Sequence, residues 1–146
     1  MRGDQVPDND HIARYCGGAN VHEDGSIDGS AFRLRERPDG WEEYLSVNWL
    51  EYLEAADRRR QIEKLRQVFR NKPFKLGAKA KFAIHEVEDL CEYIRNKSPD
   101  RRNLRVLHDP FPDDCSHCGV FGLKSGDDLI ADLIAEVVRE IYPARG

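Results

Sequence analysis

Apolar residues in this chain come in short runs broken by charge, proline or glycine, and none approaches the ~18 residues that a membrane span requires. Such spacing asks for short strands and helices packed on one another, not for a spanning segment or a long coil. At 146 residues, the chain has the size of one domain. A chain of this length buries roughly two thirds of its unfolded surface, so it needs no disulfide or metal merely to fold.

Residues 1–26 are polar and glycine-rich and read as a loosely structured arm, with one short strand near Ile12 to Tyr15. Residues 27–146 carry the pattern of a single α+β domain. Ser30 to Glu36 alternates Phe32 and Leu34 against Arg33 and Arg35, the period of a half-buried strand. Arg37-Pro38-Asp39-Gly40 supplies turn chemistry, and Glu43 to Val47 reads as the returning strand of a hairpin. Asn48 and Glu51 form a capping pair that predicts a helix from Trp49 to Arg70, broken at Asp57 and ended by Pro73 and Gly77.

Lys81 to Val87 is apolar on both faces apart from His85, as an inner strand would be. Val87, Leu90, Cys91 and Ile94 give a short helix that stops before Ser98-Pro99, and Leu104 to His108 gives a strand. After an acidic, proline-broken loop, Gly119 to Leu123 reads as another strand. Ser125 and Asp128 make a capping box for a last helix whose apolar stripe runs from Leu129 to Ile141. The expected order is β-β-α-β-α-β-β-α, with a mixed or antiparallel sheet of about five strands and two or three packed helices.

Charge is unevenly distributed. Residues 57–81 hold 10 basic and 2 acidic side chains, while the whole chain carries a net charge of −4. The overall balance argues against a dedicated nucleic-acid binder, but the basic segment offers a local cationic face. On the predicted helix that face comprises Arg58, Arg59, Arg60, Lys64, Arg66 and Arg70. It suits an acidic protein partner or a phosphate backbone; aromatic interleaving for single-stranded bases is poor if Phe69 and Phe74 are buried.

Reactive side chains crowd into the loop from His108 to Cys118. Cys115 and Cys118 have the spacing of half a zinc site, with His108 or His117 as a third ligand and Cys16, His11, His22 or Cys91 left to supply a fourth. Alternatively, His108 and His117 face each other across the loop, oriented by Asp109, Asp113 or Asp114. Such a pair serves as acid and base in phosphodiester cleavage, with Arg33, Arg35 or Arg105 holding the phosphate. The bland reading of the same loop is two small thiols and solvating aspartates at strand ends. The start, Met1 to Asp8, lacks the apolar core of a signal peptide, so the expected setting is cytoplasmic and the thiols reduced. Phosphate-binding glycine loops, nucleophile elbows and His-Glu-x-x-His helices are absent from the sequence.

The segments Arg14-Tyr15-Cys16, Ser30 to Arg35, Glu43 to Tyr52, His108-Asp109-Pro110 and Ser116-His117 resemble a family of small, uncharacterised bacterial proteins. The resemblance implies a bacterial cytosolic protein and no particular activity. It draws attention to Ser116-His117 rather than to the two cysteines. The leading expectation is an accessory or regulatory protein that docks through its basic helix and exposed aromatics such as Trp41, with another protein as partner and nucleic acid as a further candidate. The alternatives are a small phosphoester-cleaving hydrolase or nuclease using His108, His117 and Asp109, and a zinc-binding module using Cys115 and Cys118.

Overall fold

An inner strand must satisfy both backbone edges and bury both faces, and residues His11–Cys16 do so as β1, with a strand on either side. In the computed structural model, which describes residues 2–146, a ribbon of β2 (Glu36–Arg37) and β3 (Gly40–Trp41) comes next, followed by β4 (Leu45–Trp49). Then come α1 (Arg58–Arg70), β5 (Lys81–Glu86), α2 (Val87–Lys97), β6 (Arg105–His108), β7 (His117–Phe121), α3 (Asp128–Glu136) and β8 (Glu140–Pro143). The main sheet has the order β6-β7-β4-β1-β5-β8, and every neighbouring pair is antiparallel. The chain is therefore α+β, as its patterning predicts. No helix in residues 2–146 is long and apolar enough to cross a membrane.

Side-chain alternation divides the core between the two faces of the sheet. Ile12, Leu45, Val47, Ala83 and Val120 bury one face against Leu90 and Ile94 of α2 and Ile130 and Ile134 of α3. Ala13, Phe82 and Ile84 bury the other against Ile62, Leu65 and Phe69 of α1. In β7, Gly119 faces Tyr44 so closely that an added Cβ would come within 2.5 Å of its ring. That close approach lets Tyr44 lie on the sheet beside Phe121 and His117.

Several local expectations give way to tertiary context. Residues 11–16 belong to the interior of the sheet, not to an arm. Gly29–Phe32 is a 3-10 turn instead of a strand, because the Asp28 carboxylate caps it by accepting the Ser30 N–H. The Arg37–Gly40 turn does form, but it closes only the ribbon, and β4 pairs with β1 and β7 instead. Asn48 is a strand residue, not a helix cap; α1 starts at Arg58, where the Asp57 side chain accepts the Arg60 N–H at 2.9 Å. A 3-10 turn, Glu51–Leu53, fills the interval and ends at Glu54 with φ of 50°. Strand β7 begins two residues before the expected Gly119. Helix α3 begins after Asp127, whose carboxylate accepts from Arg102 and the Lys124 N–H and does not cap it, and stops at Glu136; Ile141 pairs with Ala83 on the sheet edge.

His85 is the one polar side chain of β5 that reaches the α3 side of the core. It is 2% exposed, meets Phe32 edge-on, and its Nε2–H donates to the Ile134 carbonyl at 2.8 Å. Burial pushes its pKa from 6.5 down to about 4, with that carbonyl opposing the shift. The unfolded chain therefore binds the extra proton between these values, so stability is full above pH 6.5 and declines as the pH falls toward 4. The loss is on the order of 3 kcal/mol. Urea denaturation at pH 7.0 and about pH 4.5 should show it, and His85→Gln, which keeps a donor for Ile134 and does not titrate, should remove most of the difference.

Candidate functional site

Strands β1 and β4 pair only at Ile12↔Trp49 and Ala13↔Asn48, then part. Arg14 enters the gap. Its Nε donates to the Ala31 carbonyl at 3.0 Å and its Nη1 to the Ser46 carbonyl at 2.9 Å, so a guanidinium takes over where the strand ladder ends. Burial pushes the Arg14 pKa down to about 10, yet it stays charged at neutral pH.

The parting opens a cleft of about 640 Å³. Arg14, Arg33, Arg35, Arg37 and Lys72 contribute cations to its lining, against the single carboxylate of Asp114. Arg33 is tethered to Asp128 at 3.1 Å, and Arg35 and Arg37 share Glu42 at 3.4 and 3.0 Å. These tethers fix the long side chains without cancelling all their charge. Desolvation opposes ionisation of Glu42, but its bonds from Arg35 and Arg37 win and hold its pKa below the usual carboxylate value.

A polar cluster lies where β4 meets β7. Asp114 is 2% exposed, with Lys72 Nζ at 3.0 Å and Asn48 Nδ2 at 2.8 Å. Ser116 donates its hydroxyl to the same carboxylate at 3.0 Å and accepts from Asn48 at 2.9 Å. Next to Asn48 in register stands His117, another cleft residue. Its Nδ1 is 2.8 Å from the Asp109 carbonyl, which can only accept. Nδ1 therefore carries the hydrogen and Nε2 keeps the lone pair. Desolvation leads the causes that lower the His117 pKa, outweighing the opposing Asp109 carbonyl bond and the nearby Asp114 charge. A neutral, oriented imidazole of this kind can accept a proton.

Aromatic rings complete the wall. Phe111 stacks on His117 at 3.9 Å and remains 39% exposed. Phe74 is 45% exposed, contrary to the expectation that it is buried, while Phe69 is buried as expected. Half-buried Tyr15 and buried Phe69 hold Phe74 by its edges.

The loop histidines do not meet. His108 is in register with Cys118, so His117 projects from the opposite face of the sheet. His108 is 2% exposed, donates Nε2–H to the Cys115 carbonyl at 2.7 Å, and packs on Trp49 and Tyr52. Asp109 orients His117 through its backbone; its carboxylate accepts the Tyr44 hydroxyl and faces Arg2. Asp113 contributes nothing to the cleft lining, and Arg105 lies on the far edge strand.

Nor are the cysteines brought together as a metal site. Cys118 is fully buried in the core facing α2 and α3, whereas Cys115 is exposed on the loop. Cys16 is in the core, His11 bonds Glu51, His22 faces Asp28, and no group of three or more His, Cys, Asp or Glu in residues 2–146 is arranged to hold a metal ion.

Most of the basic helix is bonded within the fold. Arg58 binds Glu140 and Gln61, Lys64 donates to the Leu53 and Glu54 carbonyls, Arg66 to the Pro143 carbonyl, and Arg70 to the Arg145 carbonyl. Arg59 and Arg60 are exposed on its outer face. Among the charged and polar cleft residues, the sequence did not single out Arg14, Arg37, Asn48 or Lys72 for the site. Arg14 did leave a signal: a charge on the side of β1 shared with apolar Ile12 and Cys16. Against models of protein families, curated proteins and solved structures, the chain matches none.

Thiol accessibility checks this placement. Burial pushes Cys16 and Cys118 up to about 12 and Cys91 up to about 11. In the native protein at pH 8, a disulfide reagent should therefore modify Cys115 first, leaving Cys16 and Cys118 unreacted until denaturant is added. Rapid native modification of Cys118 would contradict the register of β7.

Proposed function

We propose that this protein binds a phosphate-bearing ligand of nucleotide type in the cleft between β1 and β4, rather than through the outer face of α1. The observation that supports this most is the convergence of Arg14, Arg33, Arg35, Arg37 and Lys72 on one cavity that also offers the open rings of Phe74 and Phe111. Guanidinium forks match phosphate oxygens in pairs, and an exposed ring face accepts a planar base. A simple carboxylate ligand would use the cations but leave the rings idle. The volume, about 640 Å³, is in the range that encloses a small organic ligand. Tethering by Glu42 and Asp128 reduces the rotamer freedom that the arginines lose on binding.

A second reading, cleavage of a phosphoester, is favoured by one feature: the His117 tautomer, which keeps Nε2 free of its hydrogen. In that reading His117 is the general base and Lys72 and Arg14 stabilise the charge that grows on phosphate. His108 takes no part, being on the opposite face.

Calorimetric titration with nucleoside monophosphates tests the binding reading. Lys72→Ala and Arg33→Glu should each weaken binding about tenfold or more, since a charge-assisted hydrogen bond contributes about 1.5–3 kcal/mol. Arg59→Glu and Arg60→Glu should leave it unchanged. The reverse pattern would return the function to the helix face. If the protein also cleaves phosphoesters, the rate should rise through a pKa below the ordinary histidine value, because the neutral imidazole is the active form. His117→Gln should remove that limb and the activity while nucleotide binding persists.

A further inference from the structure

A second, smaller cavity of about 410 Å³ adjoins the cleft. Its lining is Phe69, Arg70, Phe74, Lys75, Leu76 and Arg145, so the two cavities share Phe69 and Phe74. Phe69 is buried, which leaves Phe74 as the exposed ring on their common boundary. The segment that carries Phe74 is fixed before the ring by the Lys72 N–H, which donates to the Phe69 carbonyl at 3.2 Å, and after it at the Leu76–Gly77 peptide. Arg145 donates twice to the Leu76 carbonyl, at 3.0 and 2.7 Å, and the Gly77 N–H donates to the Tyr15 hydroxyl at 3.3 Å. Phe74 is thus a positioned platform and not a loose side chain.

The cations of the second cavity differ from most of those of the first. Arg33, Arg35 and Arg37 have carboxylate partners, whereas the contacts of Arg70 and Arg145 are to backbone carbonyls, which leave their charge intact. Lys75 is exposed beside them. The surface therefore runs from a cationic cavity, over an open aromatic ring, into another cationic cavity. Of the common polyanions, a single strand of nucleic acid matches that alternation, with phosphates over the cations and a base on the ring. A duplex keeps its bases stacked inside, an acidic peptide has no use for the ring, and a mononucleotide fills only the first cavity.

We infer that the ligand of the cleft is a single strand of nucleic acid, which continues over Phe74 into the cavity formed by Arg70, Lys75 and Arg145. The inference rests on the phosphate-binding reading of the cleft and extends it to a polymer. Fluorescence anisotropy with labelled thymidine oligonucleotides of one, two, four and eight residues tests it, with uridine oligonucleotides, a duplex octamer and polyglutamate as comparisons. Affinity should rise at least tenfold between one and four residues and favour the single strand over the duplex and over polyglutamate. Phe74→Ala should flatten the length dependence. Lys75→Ala should lower the salt slope for the octamer by about 0.7 while leaving mononucleotide binding unchanged. Lys72→Ala should weaken both.

Mononucleotide binding with no gain in length would overturn the inference and leave the nucleotide reading standing. Equal binding of polyglutamate or of the duplex would also overturn it, in favour of a generic cationic surface. Failure of both mononucleotide and oligonucleotides to bind would remove the nucleotide reading itself. Lys75 is exposed on the surface, so its variant keeps the test decisive if Phe74→Ala fails to fold.

Discussion

The Arg14 guanidinium takes over the backbone bonding where the ladder between β1 and β4 ends. A backbone ladder between β1 and β4 ends at Ala13↔Asn48, and past that point the Ser46 carbonyl finds its donor in Arg14. The same side chain reaches the Ala31 carbonyl in the Gly29–Phe32 turn, tying that turn to the sheet. Burying a guanidinium is costly, and here its two backbone acceptors offset part of that cost. What remains of its charge belongs to the cleft. One residue thus fills the gap between two strands, anchors the segment leading to Arg33, and gives the cavity its most buried cation.

Around this centre the two faces of the sheet have different tasks. The face toward α2 and α3 is an apolar core, broken by His85, by His108 at the end of β6 and by Arg14 at the edge of the gap. On the other face, α1 packs over β1 and β5, while the half over β4 and β7 that α1 leaves uncovered is polar: Ser46, Asn48 and His117. Lys72, just beyond the end of α1, reaches across to Asp114 and closes one side. The basic segment of the sequence therefore acts in two ways. Its helical part locks α1 to β8 and the C-terminal residues, and its continuation through Lys72, Phe74 and Lys75 faces the two cavities.

Much of the architecture was legible in local pattern. The doubly apolar run at β5, the spacing of α2 and the turn at Arg37–Gly40 all depend on neighbours in sequence. The errors arise where the partner is distant. Asn48 resembles a cap because Glu51 stands three residues on, but its amide is claimed by Asp114 and Ser116. Ile141 extends an apolar helical stripe, yet its backbone completes the sheet edge against β5. In the site, Arg33 and Arg35 could be named as phosphate holders and His117 as a proton acceptor from residue type alone. Their convergence with Arg14 and Lys72 could not, because the gap that gathers them lies between strands whose residues in contact across it are 32 apart along the chain. Likewise, His108 and His117 look paired on one loop until the register places them on opposite faces.

The most direct test is backbone amide chemical-shift mapping during titration with thymidine monophosphate. With nucleotide bound in the cleft, perturbations should cluster at residues 14, 33, 48, 72, 74, 111 and 113–117, the segments that meet there. Perturbations confined to Arg59, Arg60 and their neighbours on the outer face of α1, or no perturbation at saturating nucleotide, would contradict binding in the cleft.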